Sequence, residues 1–285
     1  MSKVLIWVKI TRPHTLFASL SPILIGLIVA SKSVELNWII ALATLVCGVS
    51  LQVLSNIIND YYDFKKGLDK QGRVGFKRAL AEGEVTVKQM QMAIGLNLLI
   101  SILIGLYLVY VGGIIILLIG VFSIFFAWLY TATSKSLSYL GIADIFCFLF
   151  YGPIATLGTT FLQTKEFSQE SMFLGFVCGA LATCVLTVNN IRDMENDKLL
   201  NKKSFVVRFG KRAGELEYLF FIVLTLIFTL IVNSLSFSNL IFIFGLILFI
   251  QLLKTQGVAY NKMLIKTGLL NIVFVILVLI DYLIK

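Results

Sequence analysis

The chain has 285 residues, of which 59% are hydrophobic and 14% charged, and its formal net charge is +9. A soluble globular protein is about 45–50% apolar and about 25% charged. An ordinary soluble enzyme, a disordered chain and a nucleic-acid-binding module are therefore excluded, and the lipid bilayer becomes the expected partner of so basic and apolar a chain.

Nine apolar segments follow in order: Leu16–Ser31, Leu36–Ile58, Met90–Tyr110, Gly112–Tyr130, Leu140–Leu162, Met172–Val188, Leu216–Asn233, Leu240–Leu253 and Gly268–Leu283. Each is close to continuously apolar and must be helical, because open strands leave backbone groups unpaired in lipid. The third and fourth meet at Val111-Gly112-Gly113, a predicted tight turn. The first follows Arg12-Pro13 without a small-x-small cleavage site and is expected to be a retained helix, not a signal peptide. At about 20 residues per membrane helix, nine helices take about 180 residues. That leaves no room for a separate soluble domain of usual size. The predicted fold is thus all-α: a polytopic membrane protein whose nine transmembrane helices form a single bundle over residues 1–285.

With the N-terminus in the cytoplasm, 21 of the 24 Lys and Arg fall on the cytoplasmic side, and only Lys32, Lys165 and Lys285 on the other. The positive-inside rule makes that the expected orientation, in the cytoplasmic membrane. Cys47, Cys147, Cys178 and Cys184 lie inside apolar segments without zinc spacing and are expected to be reduced and packed. His14 is the only histidine, which excludes His-rich metal sites and disfavours Ser/His/Asp chemistry.

Two cytoplasmic loops stand apart, residues 56–88 and 189–212. Asp60–Lys88 holds seven basic and five acidic residues, and Asn190–Arg212 seven basic and three acidic. Topology needs Lys and Arg there but not Asp. In the first loop Asn56 and Asp60 are spaced i,i+4 and Asp60 and Asp63 i,i+3, so a helix puts them on one face. In the second, Asn189, Asp193 and Asp197 form a stripe at i, i+4, i+8. Both parent helices run toward the cytoplasm, so the carboxylates converge at one depth and repel one another if unpaired. A divalent cation offsets that repulsion. Mg2+ suits hard oxygen ligands and usually takes one or two carboxylates plus substrate phosphates. Arg73, Lys77, Arg78, Arg192, Lys202 and Lys203 nearby suit a polyanion. Together these features point to a diphosphate bearing a long apolar tail. A single Asp-rich helix end is as often a solvated cap; two with the same Asn-plus-Asp grammar at one face of the membrane argue for a site.

These residues resemble the UbiA superfamily of intramembrane aromatic prenyltransferases, and within it the 1,4-dihydroxy-2-naphthoate polyprenyltransferases of menaquinone synthesis. The resemblance covers most of the chain. It starts at Arg12-Pro13-His14-Thr15 and continues through Asn59-Asp60-Tyr61-Tyr62-Asp63 to Gly67-Leu68-Asp69 and Arg78. It resumes at Tyr130-Thr131, Leu140-Gly141 and Gly152-Pro153, and ends in Asn189-Asn190-Ile191-Arg192-Asp193, Asp197 and Lys202-Lys203. Gly67 stands where the superfamily often has a third Asp, with Asp69 two residues on, as the naphthoate subgroup resembles.

The resemblance implies that Asp60, Asp63, Asp193 and Asp197 are catalytic and hold Mg2+. It implies that Asn56, Asn59, Arg73, Arg78, Asn189, Asn190, Arg192 and Lys202 contact substrate. Arg12 is divided evenly between diphosphate contact and interfacial anchor. The implied reaction moves a polyprenyl group from its diphosphate to 1,4-dihydroxy-2-naphthoate with loss of CO2 and diphosphate. Other aromatic acceptors, 4-hydroxybenzoate and 1,4-dihydroxy-6-naphthoate among them, stay open, as does the role of Asp144. A lipid or cation transporter is disfavoured because the carboxylates lie at helix ends rather than at the midplane. A CDP-alcohol phosphotransferase is disfavoured because the acidic residues form two distant clusters rather than one compact run.

Overall fold

Helices account for all regular structure in the computed structural model, which describes residues 2–67, 75–76, 78–130, 137–199 and 201–284. Seven helical stretches are long and apolar enough to cross a membrane, and an eighth, Phe237–Leu253, is shorter.

Helix α1 (Lys3–Thr11) ends at Arg12, whose φ of 51° is left-handed. Pro13 then opens α2 (Pro13–Ala30), where its missing N–H costs nothing. Helix α3 (Trp38–Lys65) is capped by Asn37, whose side chain accepts from the Ile39 and Ile40 N–H groups, a cap worth about 1 kcal/mol. Its 28 residues span about 42 Å, beyond the ~30 Å hydrocarbon core. The final turns, carrying Asn56 to Asp63, are the surplus.

Helix α4 (Val87–Leu129) runs for 43 residues but breaks at Gly113, with φ 67° and ψ −154°. A straight helix would hold Trp128 about 57 Å from Met90. Instead, Trp128 packs against the same cluster as Met90 and Ile94, with its ring 5.8 Å from that of Tyr62. The chain therefore doubles back at Gly113, the turn expected from Val111-Gly112-Gly113. Glycine is needed there because a Cβ is strained at that positive φ.

After α5 (Leu137–Leu140), α6 (Ala143–Leu149) passes through a π-helical turn, Phe150–Ile154, into α7 (Ala155–Thr164). Helix α8 (Gln169–Leu199) is the centre of the bundle. It touches α2, α6, the π turn, α7, α9 (Phe205–Phe209), α10 (Lys211–Val232) and α12 (Ala259–Leu283). One face of α8 presents Val177, Leu181, Cys184 and Val188 to a core shared with Tyr218 and Ile222 of α10 and Phe274 and Val278 of α12. Helix α11 (Leu240–Leu253) covers α10 and α12. The opposite side of α8 meets the π turn at backbone distance: a Cβ on Gly175 would lie 2.7 Å from the Pro153 Cα. Helix α12 begins nine residues before the predicted Gly268, so Lys262 and Lys266 sit on its first turns rather than in a loop.

Candidate active site

The last turns of α3 and α8 border one cavity of about 740 Å3. Asn56, Asn59, Asp60 and Asp63 line it from α3, and Asn189, Asn190, Arg192, Asp193 and Asp197 from α8. Arg12, Arg78 and Lys202 complete its polar wall. Arg73 lies outside the described residues, as do Asp69, Lys77 and Lys135. Lys203 does not border the cavity; its carbonyl accepts from Arg208 Nε at 2.9 Å. Every other predicted site residue is brought to this one space.

The first cluster is cross-braced by two arginines. Arg78 Nη1 donates to Asp63 Oδ2 at 2.7 Å, its Nε lies 3.2 Å from Asp60 Oδ1, and its Nη2 donates to Asn59 Oδ1 at 3.0 Å. Arg12 pairs with Asp60 from the other side and donates to Asn59 Oδ1 at 3.1 Å. The left-handed kink between α1 and α2 is what turns Arg12 toward α3. Asp60 and Asp63 are only 3% and 2% exposed, so these charge-assisted bonds offset a large desolvation cost.

The second cluster has its own guanidinium. Arg192 binds Asp193 bidentately, Nε to Oδ1 at 2.8 Å and Nη2 to Oδ2 at 2.7 Å. It also donates to Asn189 Oδ1 at 2.7 Å and to Asn261 Oδ1 of α12 at 3.1 Å. Lys202 Nζ sits 3.3 Å from Asp197 Oδ1. Burial alone would lower the Lys202 pKa, but the Asp63 and Asp197 carboxylates outweigh it and hold the ammonium above its ordinary value. Asp63 lies on the last turn of α3 and Asp197 on the last turn of α8, so Lys202 feels both clusters at once. Lys66 moves the other way: burial lowers its pKa against the pull of Asp63, and Lys202 lowers it further.

Below the charges lies a polar bridge that the motifs did not reveal. Tyr151 OH donates to Gln52 Oε1, and Gln52 Nε2 donates to Thr15 Oγ1 at 3.3 Å and Asn56 Oδ1 at 3.4 Å. Asn56 Nδ2 donates to the Thr11 carbonyl and to Thr15 Oγ1, both at 3.0 Å. Gln52 stands four residues before Asn56 and eight before Asp60, so the stripe spacing extends to it. Tyr151 carried no such signal beyond its place beside Gly152-Pro153. Deeper still the wall is apolar: Ile23, Leu108, Ile116 and Leu162 line it. Along α3 the lining runs from Asp63 back to Thr44, about 28 Å of helix. A charged mouth thus opens onto an apolar interior nearly as deep as a bilayer's hydrocarbon core.

The sequence model of the UbiA prenyltransferase family matches residues 19–263. The chain belongs to that family. It is a prenyltransferase and an integral membrane protein, and its two aspartate clusters fall within the matched region. Among curated relatives, this prenyltransferase is 33% identical over 220 residues to the 1,4-dihydroxy-2-naphthoate octaprenyltransferase of Escherichia coli, covering 74% of this chain and 70% of that one. It is 32% identical over 212 residues to the enzyme of the same name from Mycobacterium tuberculosis, covering 74% and 72%. In solved structures, its fold matches a UbiA homolog from Archaeoglobus fulgidus bound to DMAPP and Mg2+, with a TM-score of 0.63 at 16% identity over 98% of this chain and 99% of that one. At that identity the likeness concerns the fold alone.

Proposed function

We propose that this prenyltransferase transfers a polyprenyl group from a polyprenyl diphosphate to 1,4-dihydroxy-2-naphthoate, releasing diphosphate and CO2 and giving demethylmenaquinol. The observation that carries the reading is the shared cavity: two carboxylate pairs, three arginines and a lysine at its mouth, and an apolar interior behind them. The similarity to octaprenyltransferases of that acceptor supports the choice of substrate. The turn at Gly113 divides α4 into two crossings, and Phe237–Leu253 adds a short one. That division supports a nine-crossing bundle, and the Lys and Arg distribution supports an N-terminus and cavity mouth on the cytoplasmic side of the cell membrane.

The residues present fit Mg2+. Among the described residues no three His, Cys, Asp or Glu side chains form a ready-made cage. Paired aspartates on two helix ends instead match an ion that takes one or two carboxylates and completes its shell with phosphate oxygens. Asp60 and Asp63 would hold one ion and Asp193 and Asp197 another. When bound, Mg2+ neutralises charge on the departing diphosphate.

The chain's own groups do the rest. The carboxylates now paired with Arg12, Arg78, Arg192 and Lys202 release those cations when the site fills, and the cations turn to the diphosphate oxygens. Their positive charge favours departure of the diphosphate and formation of the allylic cation. Asn59, Asn189 and Asn190 supply amide contacts to the same oxygens, and Asn56 keeps the α1–α2 junction against α3. The apolar interior takes the prenyl tail and excludes water that would quench the cation. The electron-rich ring then attacks at the carbon that bears its carboxylate; the new C–C bond forms, the C–COO⁻ bond breaks, and its electron pair restores the aromatic ring as CO2 leaves.

Membranes containing the protein, supplied with labelled polyprenyl diphosphate, 1,4-dihydroxy-2-naphthoate and Mg2+, test this. Prenylated, decarboxylated product is expected, and is expected to vanish in Asp60→Asn, in Asp193→Asn and with EDTA. Product only with 4-hydroxybenzoate or another arene would replace the acceptor. Folded protein that cleaves no prenyl diphosphate with any arene would overturn the assignment.

A further inference from the structure

Among the described residues, Asp144 is the cavity carboxylate that no Lys or Arg pairs with. Each of the four motif aspartates pairs with Arg or Lys. Asp144, in the first turn of α6, is 7% exposed and lines the same cavity. Its side chain accepts from Asn190 Nδ2 at 3.4 Å and from its own backbone N–H. Asn190 precedes Asp193 by three residues and Asp197 by seven, so it belongs to the face of α8 that carries the second cluster. Asp144 therefore sits beside the diphosphate end of the cavity yet outside its charge network.

An aromatic cluster lines the same cavity. The Phe126 ring lies 4.4 Å from that of Phe146 and 4.9 Å from that of Phe150, and all three border the cavity. Tyr130 borders it too, and its hydroxyl makes no hydrogen bond among the described residues.

These facts discriminate between occupants. A diphosphate is repelled by Asp144, and a prenyl tail has no use for a carboxylate. A hydroxyarene satisfies both features: its ring packs on the phenylalanines and its hydroxyl donates to a buried carboxylate that has no cationic partner among the described residues. The geometry points to a hydroxyarene subsite formed by Asp144, Asn190, Tyr130 and the Phe126–Phe146–Phe150 cluster, with the arene hydroxyl donating to Asp144. This deepens the proposed reaction and rests on it. Hydrogen bonding to a carboxylate raises electron density on the ring, which is what attack on an allylic cation needs. For an acceptor that also carries a carboxylate, repulsion from Asp144 turns that group away, toward the cationic mouth.

The test uses the full-length protein in lipid nanodiscs. Binding of 1,4-dihydroxy-2-naphthoate and of its hydroxyl-methylated ether is titrated on wild type and Asp144→Asn, with donor and acceptor KM measured in parallel. Losing a hydrogen bond to a charged group predicts weaker acceptor binding by about 10- to 100-fold in Asp144→Asn, with donor KM and thermal midpoint unchanged. Methylation should weaken binding to wild type similarly and add little in the variant. Equal binding of acceptor by both proteins, or of parent and ether by wild type, overturns the subsite. The ether comparison needs no variant and stands even if Asp144→Asn misfolds. A wild type that binds the arene through Asp144 but does not prenylate it would retire the acceptor proposed above and keep the subsite.

Discussion

Arg78 reaches back to Asp63 across fifteen positions of sequence, its Nη1 2.7 Å from Oδ2, with both side chains nearly withdrawn from solvent. The same guanidinium touches Asp60 and Asn59, so one residue beyond α3 holds three groups on that helix's last turns. Removing one partner of a buried pair leaves the other charge uncompensated, at about 3–5 kcal/mol. Arg78→Ala is expected to lower the thermal midpoint in detergent and abolish turnover. Arg78→Lys restores charge but not the fork, and should recover stability better than kcat. Full activity in the lysine variant would show that the fork is dispensable.

Asp197 pairs with Lys202 and is proposed to meet Mg2+ beside Asp193. In Asp197→Asn the Mg2+ concentration for half-maximal rate should rise by about 10-fold or more. A Mg2+ titration at saturating prenyl diphosphate checks this, and an unshifted midpoint would remove Asp197 from the metal site.

The π turn leaves no room against α8. A methyl at Gly175 falls 2.7 Å from the Pro153 Cα and 3.1 Å from the Thr156 Cβ. Overpacking of this kind costs about 1–3 kcal/mol, so Gly175→Ala should melt lower than wild type. Because the turn also carries Tyr151, turnover per folded molecule should fall with it. Unfolding curves and product formation on the same preparation separate the two effects.

Tyr151 and Gln52 form a bridge between helices. Tyr151→Phe and Gln52→Leu should each destabilise by about 1–3 kcal/mol, and the double variant by clearly less than the sum. Additive losses would mean that the two side chains act independently.

The amino-acid pattern alone carried the membrane class, the helical nature of each segment and the two faces on which aspartates gather. These are local properties: apolar run length sets what spans a bilayer, and 3.6-residue periodicity sets which side chains share a face. The break in α4 was legible at Gly112-Gly113 for the same reason. Gln52 was within reach of the Asn56–Asp60 spacing but looked like one polar residue in an apolar run. Tertiary structure alone decided that Arg12 and Arg78 clamp Asp60 from two sides, that Tyr151 crosses to Gln52, and that Asp144 faces Asn190. Each of those contacts joins residues far apart in the chain, and helix periodicity fixes only the direction a side chain takes from its own helix, not the neighbour it meets.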